Sequence, residues 1–304
     1  MNMTDRPWSL ATVELADATT ACVALTGEGP RRLPELDAYP GVFEALQHWA
    51  ELEPILRDID PRAGAPVDGR VLAPLRYPRC VLCSGSNYRD HLAEMTGDDT
   101  HAVWPFFFLK PPFTTVIGPG EPIVIDPDPA QQVDWEAELG VVIGRAGRDI
   151  PVDEALAYVA GYTIVNDVSA RGPHHRAAAF APAFAWDWLA SKGQDTFCPI
   201  GPGVTPAWLV EDPQRLPIRL TVNGVERQCS GTEKMIFSVP ELIAAASALV
   251  TLSPGDLIAT GTPAGVGVST GTFLRPGDVI DIALGPLGAL RNPVTARTTP
   301  GGPQ

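Results

Sequence analysis

Asp134, Glu136 and Glu138 alternate with Trp135, Ala137 and Leu139, and the run continues as Gly140-Val141-Val142-Ile143-Gly144. Along a strand, side chains alternate between faces. The three carboxylates therefore fall on one face, where they repel unless positive charge sits among them. A hard divalent cation answers that need, because Mg²⁺, Mn²⁺ and Ca²⁺ prefer oxygen ligands. Glu136 and Glu138 can aim at one ion together. A third ligand must come from a neighbouring strand, and Asp167, which ends the apolar run Gly161-Tyr162-Thr163-Ile164-Val165-Asn166, is the candidate. Three carboxylate oxygens on one side of an ion leave the other positions to water or a chelating substrate, as suits Mg²⁺ or Mn²⁺. A solvated strand face also carries charge, and the spacing leaves that alternative open.

A second group lies in Gly85-Ser86-Asn87-Tyr88-Arg89-Asp90-His91-Leu92-Ala93-Glu94-Met95. Ser86 or Asn87 can cap a short helix on which His91 and Glu94 are i,i+3 neighbours. A carboxylate beside an imidazole fixes its tautomer and makes a general base for water. On a helix surface the same pair contributes only about 0.2–0.5 kcal/mol. Lys192 stands alone in a Gly-rich, aromatic-flanked stretch, Trp188 to Pro202, and reads as a buried ammonium facing an anion or as a loop lysine. Ala259-Thr260-Gly261-Thr262-Pro263-Ala264-Gly265-Val266-Gly267 follows a strand. Its amides can receive a carboxylate or oxyanion, or simply form a turn. It lacks the Gly-Lys-Ser/Thr ending of a phosphate loop. Cys80-Val81-Leu82-Cys83 is formally a C-x-x-C but lies in an apolar run without a second pair, and reads as a buried strand.

These side chains need a scaffold of short strands. The pattern predicts strands at Trp8–Leu15, Thr20–Leu25, Val81–Ser84, Phe106–Leu109, Thr115–Ile117, Ile123–Ile125, Ala137–Ile143, Ala160–Val165, Ile218–Val222, Asp256–Ala259 and Val279–Ile282. Helical spacing appears at Val42–Leu56, Tyr88–Met95, Val152–Tyr158 and Val239–Leu249. Ser238 and Glu241 form a capping-box signature before the last. Turn formers crowd residues 58–66, so a boundary is expected near residue 70: a small N-terminal α+β domain (1–70), a β-rich domain (71–297) and a disordered tail (298–304). Many strands and few helices imply a β-rich α+β fold, rolled or barrel-like.

Composition narrows the partners. The 304 residues carry a net charge of −14, which argues against nucleic acid and anionic membranes. No apolar run reaches about 18 residues and the N-terminus lacks a signal-peptide pattern, so a cytoplasmic protein is expected. The five scattered cysteines suit reduced thiols. Of 22 basic residues only three are Lys, at 110, 192 and 234.

Five of these segments occur in the order that resembles the fumarylacetoacetate hydrolase family. They are Gly85 to Glu94, Glu136-Ala137-Glu138-Leu139, Asn166-Asp167-Val168-Ser169-Ala170-Arg171, Lys192 with Asp195-Thr196-Phe197, and Gly261-Thr262-Pro263-Ala264-Gly265-Val266-Gly267. The likeness covers about residues 70–295 and is nearest the smaller bacterial acylpyruvase and hydroxymuconate-isomerase members. It implies that Glu136, Glu138 and Asp167 bind a metal, usually Mg²⁺, sometimes Mn²⁺ or Ca²⁺. It implies that His91 and Glu94 activate water, that Lys192 stands beside the metal, and that Arg171, Thr262 and Lys110 meet the substrate. Residues between Met95 and Trp104 would form a lid, and a homodimer is expected. Asp134 drops out as a flanking charge. The chain departs from the family after Arg171, where Gly172-Pro173-His174-His175-Arg176 replaces an often acidic start. It departs again at Gln228 to Phe237 and in the apolar stretch Phe180 to Trp186. Those departures bear on substrate shape, and the aromatics hint at a bulky tail.

The resemblance implies hydrolysis of a C–C bond in a 2,4-dioxo acid through a metal-stabilised enolate. The same chemistry supports an enol–keto isomerase or tautomerase, or a decarboxylase of a β-keto acid such as oxaloacetate. Outside enzymes, a metal-stabilised binding protein has the same carboxylates but no turnover.

Overall fold

In the computed structural model, residues 7–97 and 104–298 are described. The fold is β-rich α+β, as the strand count implied. In a sheet of twelve strands, ten form a path from Ala65–Pro66 through Gly29–Arg32, Thr20–Thr26, Ser9–Glu14, Cys198–Pro206, Val159–Asn166, Ala137–Ile143, Leu257–Ala259 and Val81–Gly85 to Phe106–Leu109, with Arg70–Val71 and Val116–Ile117 paired beside it. This path has two ends, so no barrel closes among the described residues. A five-stranded sheet orders Val225–Gly231, Pro217–Val222, Val279–Leu284, Ala289–Ala296 and Ile123–Ile125.

The central pair explains the apolar runs. Every residue of Ala137–Ile143 and Val159–Asn166 is buried, because both faces of this antiparallel pair are covered. The expected continuous strand from Asp134 to Glu138 is interrupted at Trp135-Glu136. Val133–Asp134 pairs instead with Ser169–Ala170. At the break, side chains replace the ladder: the Glu136 amide donates to Asn166 Oδ1 (3.1 Å) and the Ala137 amide to Gln228 Oε1 (2.9 Å).

Helices are few. Val239–Leu249 forms as expected, with the Ser238 amide donating to Glu241 Oε2 at 2.7 Å. Residues 42–56 form two helices, Val42–Leu46 and Trp49–Arg57, and the break lets Trp49 stack on Trp208. Thr115 ends a helical turn rather than starting a strand, and Val152–Tyr158 is a 3₁₀ segment. Four strands longer than two residues escaped the pattern: Gly29–Arg32, Cys198–Pro206, Val225–Gly231 and Ala289–Ala296. Cys198–Pro206 contains three prolines and two glycines, which mask its register.

The segment before residue 70 continues the main sheet. Leu10 pairs with Val204, and Val13 and Glu14 pair with Val71 and Arg70. No helix among the described residues is long and apolar enough to cross a membrane.

Candidate active site

The strand break brings three acids together. Glu138 projects from Ala137–Ile143, Glu136 immediately precedes it, and Asp167 immediately follows Val159–Asn166. Ala137 lies opposite Asn166, and the Asp167 amide donates to the Glu136 carbonyl at 2.9 Å. One carboxylate oxygen from each of Glu136, Glu138 and Asp167 lies within 4.8 Å of the others, and all three side chains are buried.

Cations surround two of the three. Lys192 Nζ donates to Glu136 Oε2 (2.7 Å) and Asp167 Oδ2 (2.8 Å). Lys110 Nζ donates to Asp167 Oδ1 (2.5 Å) and the Val168 carbonyl (3.0 Å). Arg171 bridges Glu136 Oε1 (2.5 Å) and Asp134 Oδ1 (2.8 Å). Glu138 has only the Gly261 amide, at 2.8 Å, and no ion pair among the described residues. Burial, with the Asp167 and Glu136 charges, pushes its carboxyl well above the usual range. Glu136 goes the other way: burial opposes its charge, but Lys192 and Arg171 outweigh burial and hold its carboxyl low.

These residues fit a divalent cation. Four buried carboxylates (Asp134, Glu136, Glu138, Asp167) outnumber the three cations beside them (Lys110, Arg171, Lys192), so the cluster lacks the positive charge that would let Glu138 ionise with the rest. A divalent cation at Glu138, beside the two other oxygen donors, would supply that charge, and all three donors are hard. Mg²⁺ or Mn²⁺ suits that set, and Glu136, Glu138 and Asp167 would hold it.

Asp134 requires a correction. Read from the sequence as a flanking charge, it is fully buried. Its Oδ2 accepts from the Val268 amide at 2.9 Å while Oδ1 holds Arg171. Burial, tempered by Arg171, raises its carboxyl to about 6. Its i−2 spacing from Glu136 was the available signal.

His91 lies near the cluster. It is buried on the Arg89–Thr96 helix, close enough to Glu136 to influence it. Glu94 Oε2 lies 3.5 Å from His91 Nδ1, and both Glu94 oxygens accept from the Gly265 amide at 3.1 Å. That arrangement favours a proton on Nδ1 and leaves Nε2 free to accept one. Asp90 was missed. It accepts from Ser230 Oγ (2.7 Å), Lys234 Nζ (3.0 Å) and the Ala264 amide (3.4 Å), pinning the helix to the 260s loop. Adjacency to His91 was its only signal.

The loop from Gly261 to Gly267 is engaged with the protein's own acids. Its Gly261 and Gly265 amides meet Glu138 and Glu94 rather than standing open for a ligand. Thr262 Oγ1 donates to the Ala137 carbonyl (3.0 Å) and accepts from Gln228 Nε2 (2.9 Å). Lys110, Arg171 and Thr262 thus all lie at the cluster, each with protein partners. Cys83 is buried within a strand and Cys80 half-buried, and burial pushes the Cys80 thiol to about 11, so the C-x-x-C is not poised for thiolate chemistry. Most of the expected lid, residues 98–103, lies outside the described residues, as do residues 299–304 of the expected tail.

A model of the fumarylacetoacetate (FAA) hydrolase C-terminal region matches residues 80–295, which contain every one of these side chains. The chain belongs to the fumarylacetoacetate hydrolase family. It is an enzyme of that family by descent, and its relatives span several reactions. Oxaloacetate tautomerase YisK of Bacillus subtilis is 41% identical over 279 residues, covering 87% of this chain and 90% of that protein. The structure of 5-carboxymethyl-2-hydroxymuconate delta-isomerase from Mycobacterium smegmatis superposes with a TM-score of 0.73 at 33% identity, covering 95% of this chain and all of that one. Maleylpyruvate hydrolase from Sphingobium sp. SYK-6, solved with manganese(II) and pyruvate, gives 0.72 at 27% identity over 95% of this chain and all of that one.

Proposed function

We propose that this enzyme interconverts the enol and keto forms of a short 2-oxo dicarboxylate of the oxaloacetate type, with Mg²⁺ or Mn²⁺ bound by Glu136, Glu138 and Asp167. The observation that carries this reading is the buried His91 imidazole, held by Glu94 near a cation-lined carboxylate cluster. Likeness to YisK over nearly the full length of both chains supports it. When bound, the cation would supply Lewis-acid polarisation of the 2-oxo acid.

The chain's own residues supply the rest. His91 Nε2 takes the proton from C3 of the keto form and returns it to the enol oxygen, or the reverse. Glu94 holds Nδ1, so the imidazole keeps its orientation through the transfer. The buried Lys192 ammonium stays charged, because Asp167 and Glu136 outweigh the burial that disfavours it, and it offsets charge developing on the enolate. Enclosure of the site favours return of the proton over attack by bulk water.

A second reading is C–C hydrolysis of an acylpyruvate. The same His91–Glu94 pair favours it, since a base that moves a proton between carbon and oxygen can also activate water. β-Keto acid decarboxylation uses the same enolate. Following enol absorbance while assaying pyruvate and CO₂ separates the three. Loss of enol absorbance without either product is expected with oxaloacetate, and His91→Ala should slow it about 10²–10⁴-fold. Pyruvate release from an acylpyruvate outpacing tautomerisation, or near-normal turnover by His91→Ala, would overturn the proposal.

A further inference from the structure

His174 lies where the sequence departs from the family pattern, and nothing above gives it a task. Its Nε2 is enclosed and has no hydrogen-bond partner. An orphaned buried ring nitrogen is destabilising, so it calls for a reason. The ring is held edge-on between Trp188 (4.5 Å, 71°) and Trp186 (5.1 Å, 67°). Trp188 in turn stacks on Phe108 at 4.9 Å, and Lys192 Nζ sits 5.2 Å from the Phe108 ring centre. Two ring contacts thus connect His174 to the ammonium at the carboxylate cluster.

The loop around it is closed at its base. The Asp187 amide donates to the His174 carbonyl at 2.8 Å, the Arg176 amide to the Ala185 carbonyl at 2.8 Å, and Arg176 pairs with Asp187. Asp187 Oδ1 also accepts from the Ala190 amide, capping the short helix that carries Lys192. The imidazole is therefore mounted on the same unit as the active-site lysine. Burial, then the positive charges of Lys192 and Arg171, hold its pKa below the usual value, so it is neutral at pH 7 and faces a positive field. A neutral imidazole offers one N–H donor.

We propose that His174 is a specificity-determining residue: its Nε2–H donates to the distal carboxylate of a 2-oxo dicarboxylate whose 2-oxo acid end lies at Glu136, Glu138 and Asp167. The proposal rests on the function proposed above and names the group that selects a dicarboxylate over a tail-less acid. The Lys192 and Arg171 charges both act on the His174 ring, which places it beside the cluster. The aromatics near the site, read from the sequence as a sign of a bulky tail, act here as the frame for a polar contact. Phe180 and Phe184 stack on each other at 4.4 Å and are exposed.

The test is calorimetry on the Mg²⁺-loaded enzyme with two unreactive ligands: oxalate, which has no tail, and malate, which has oxaloacetate's length and distal carboxylate. His174→Ala and His174→Phe should bind oxalate within about twofold of wild type, which also shows that they fold. Both should bind malate about 10- to 100-fold more weakly, the loss expected of one hydrogen bond to a charged group. In kinetics, KM for oxaloacetate should rise by a similar factor with kcat little changed. Wild-type affinity for malate in His174→Phe would show that the ring only packs, and equal weakening of both ligands would show general damage. Either overturns the proposal, as does failure of the wild type to bind malate. If malate binding depends on His174 but oxaloacetate is not tautomerised, the subsite stands and the proposed function falls.

Discussion

At the scale of single residues, the site is organised by which carboxylate lacks a cation. Asp167 has Lys110 and Lys192, Glu136 has Lys192 and Arg171, and Asp134 has Arg171, whereas Glu138 has one backbone amide. Glu138→Gln should therefore keep the neutral side chain that the metal-free cluster favours while removing a metal ligand. Glu138→Gln is expected to melt at or above the wild-type temperature without metal. It should also lose the Mg²⁺ and Mn²⁺ stabilisation, which for wild type at a hundredfold excess over Kd amounts to about 2.7 kcal/mol. Thermal melts across a metal titration check both halves, and a retained metal shift in Glu138→Gln would misplace the ligand. The acids were legible in the sequence because strand alternation puts them on one face. Arg171 as the partner of Asp134 was not, since that bond joins positions 37 apart and exists only once Val133–Asp134 pairs with Ser169–Ala170.

At the scale of elements, the Arg89–Thr96 helix is too short to persist on propensity alone. Asp90 and Glu94 hold it against the 260s loop. Gly265, whose amide meets Glu94, has φ of +100° and packs so closely on Val225–Gly231 that a Cβ would lie 2.0 Å from the Arg227 carbonyl oxygen. Burial disfavours the Asp90 carboxylate, but hydrogen bonds from Ser230 and Lys234 prevail and lower its pKa. A folded value below the unfolded one means that its stabilisation is complete above the unfolded value of about 3.9 and is lost as pH falls through the folded value. Asp90→Asn should thus be less stable than wild type at pH 7, by up to about 1 kcal/mol for a half-exposed pair. The gap should close toward pH 3. Urea midpoints at the two pH values test this, and a gap independent of pH would remove Asp90 from that role. Helix existence was legible here from the His91–Glu94 spacing. What the helix docks against was not, because Ser230 and Lys234 lie 140 and 144 residues away.

At the scale of the whole molecule, the first seventy residues contribute strands to the sheet that carries the site. Leu10, Trp49 and Leu56 share a core with Val142, Ala160 and Val204. A Cβ on Gly144 would lie 2.6 Å from the Trp49 ring, so the two parts are closely fitted. A chain starting at residue 71 would expose that face and leave Cys198–Pro206 without its Ser9–Glu14 neighbour. It is expected to aggregate or to lack a cooperative melt, whereas a cooperative transition near the full-length temperature would show independent folding. The turn-rich stretch at 58–66 was visible in the sequence, but the pairing of Arg70 and Val71 back onto Glu14 and Val13 was not, since two-residue strands leave no periodic signal. The ion pairs also have a practical side. All three lysines are paired with acids, and of these only Lys234 is substantially exposed, at 43%, against 0% for Lys110 and 4% for Lys192. To amine-directed labels and crosslinkers, then, this chain presents a single accessible lysine side chain, and that one is paired with Asp90 on the site helix, so attachment chemistry is better aimed at its surface carboxylates or at the exposed thiol of Cys229.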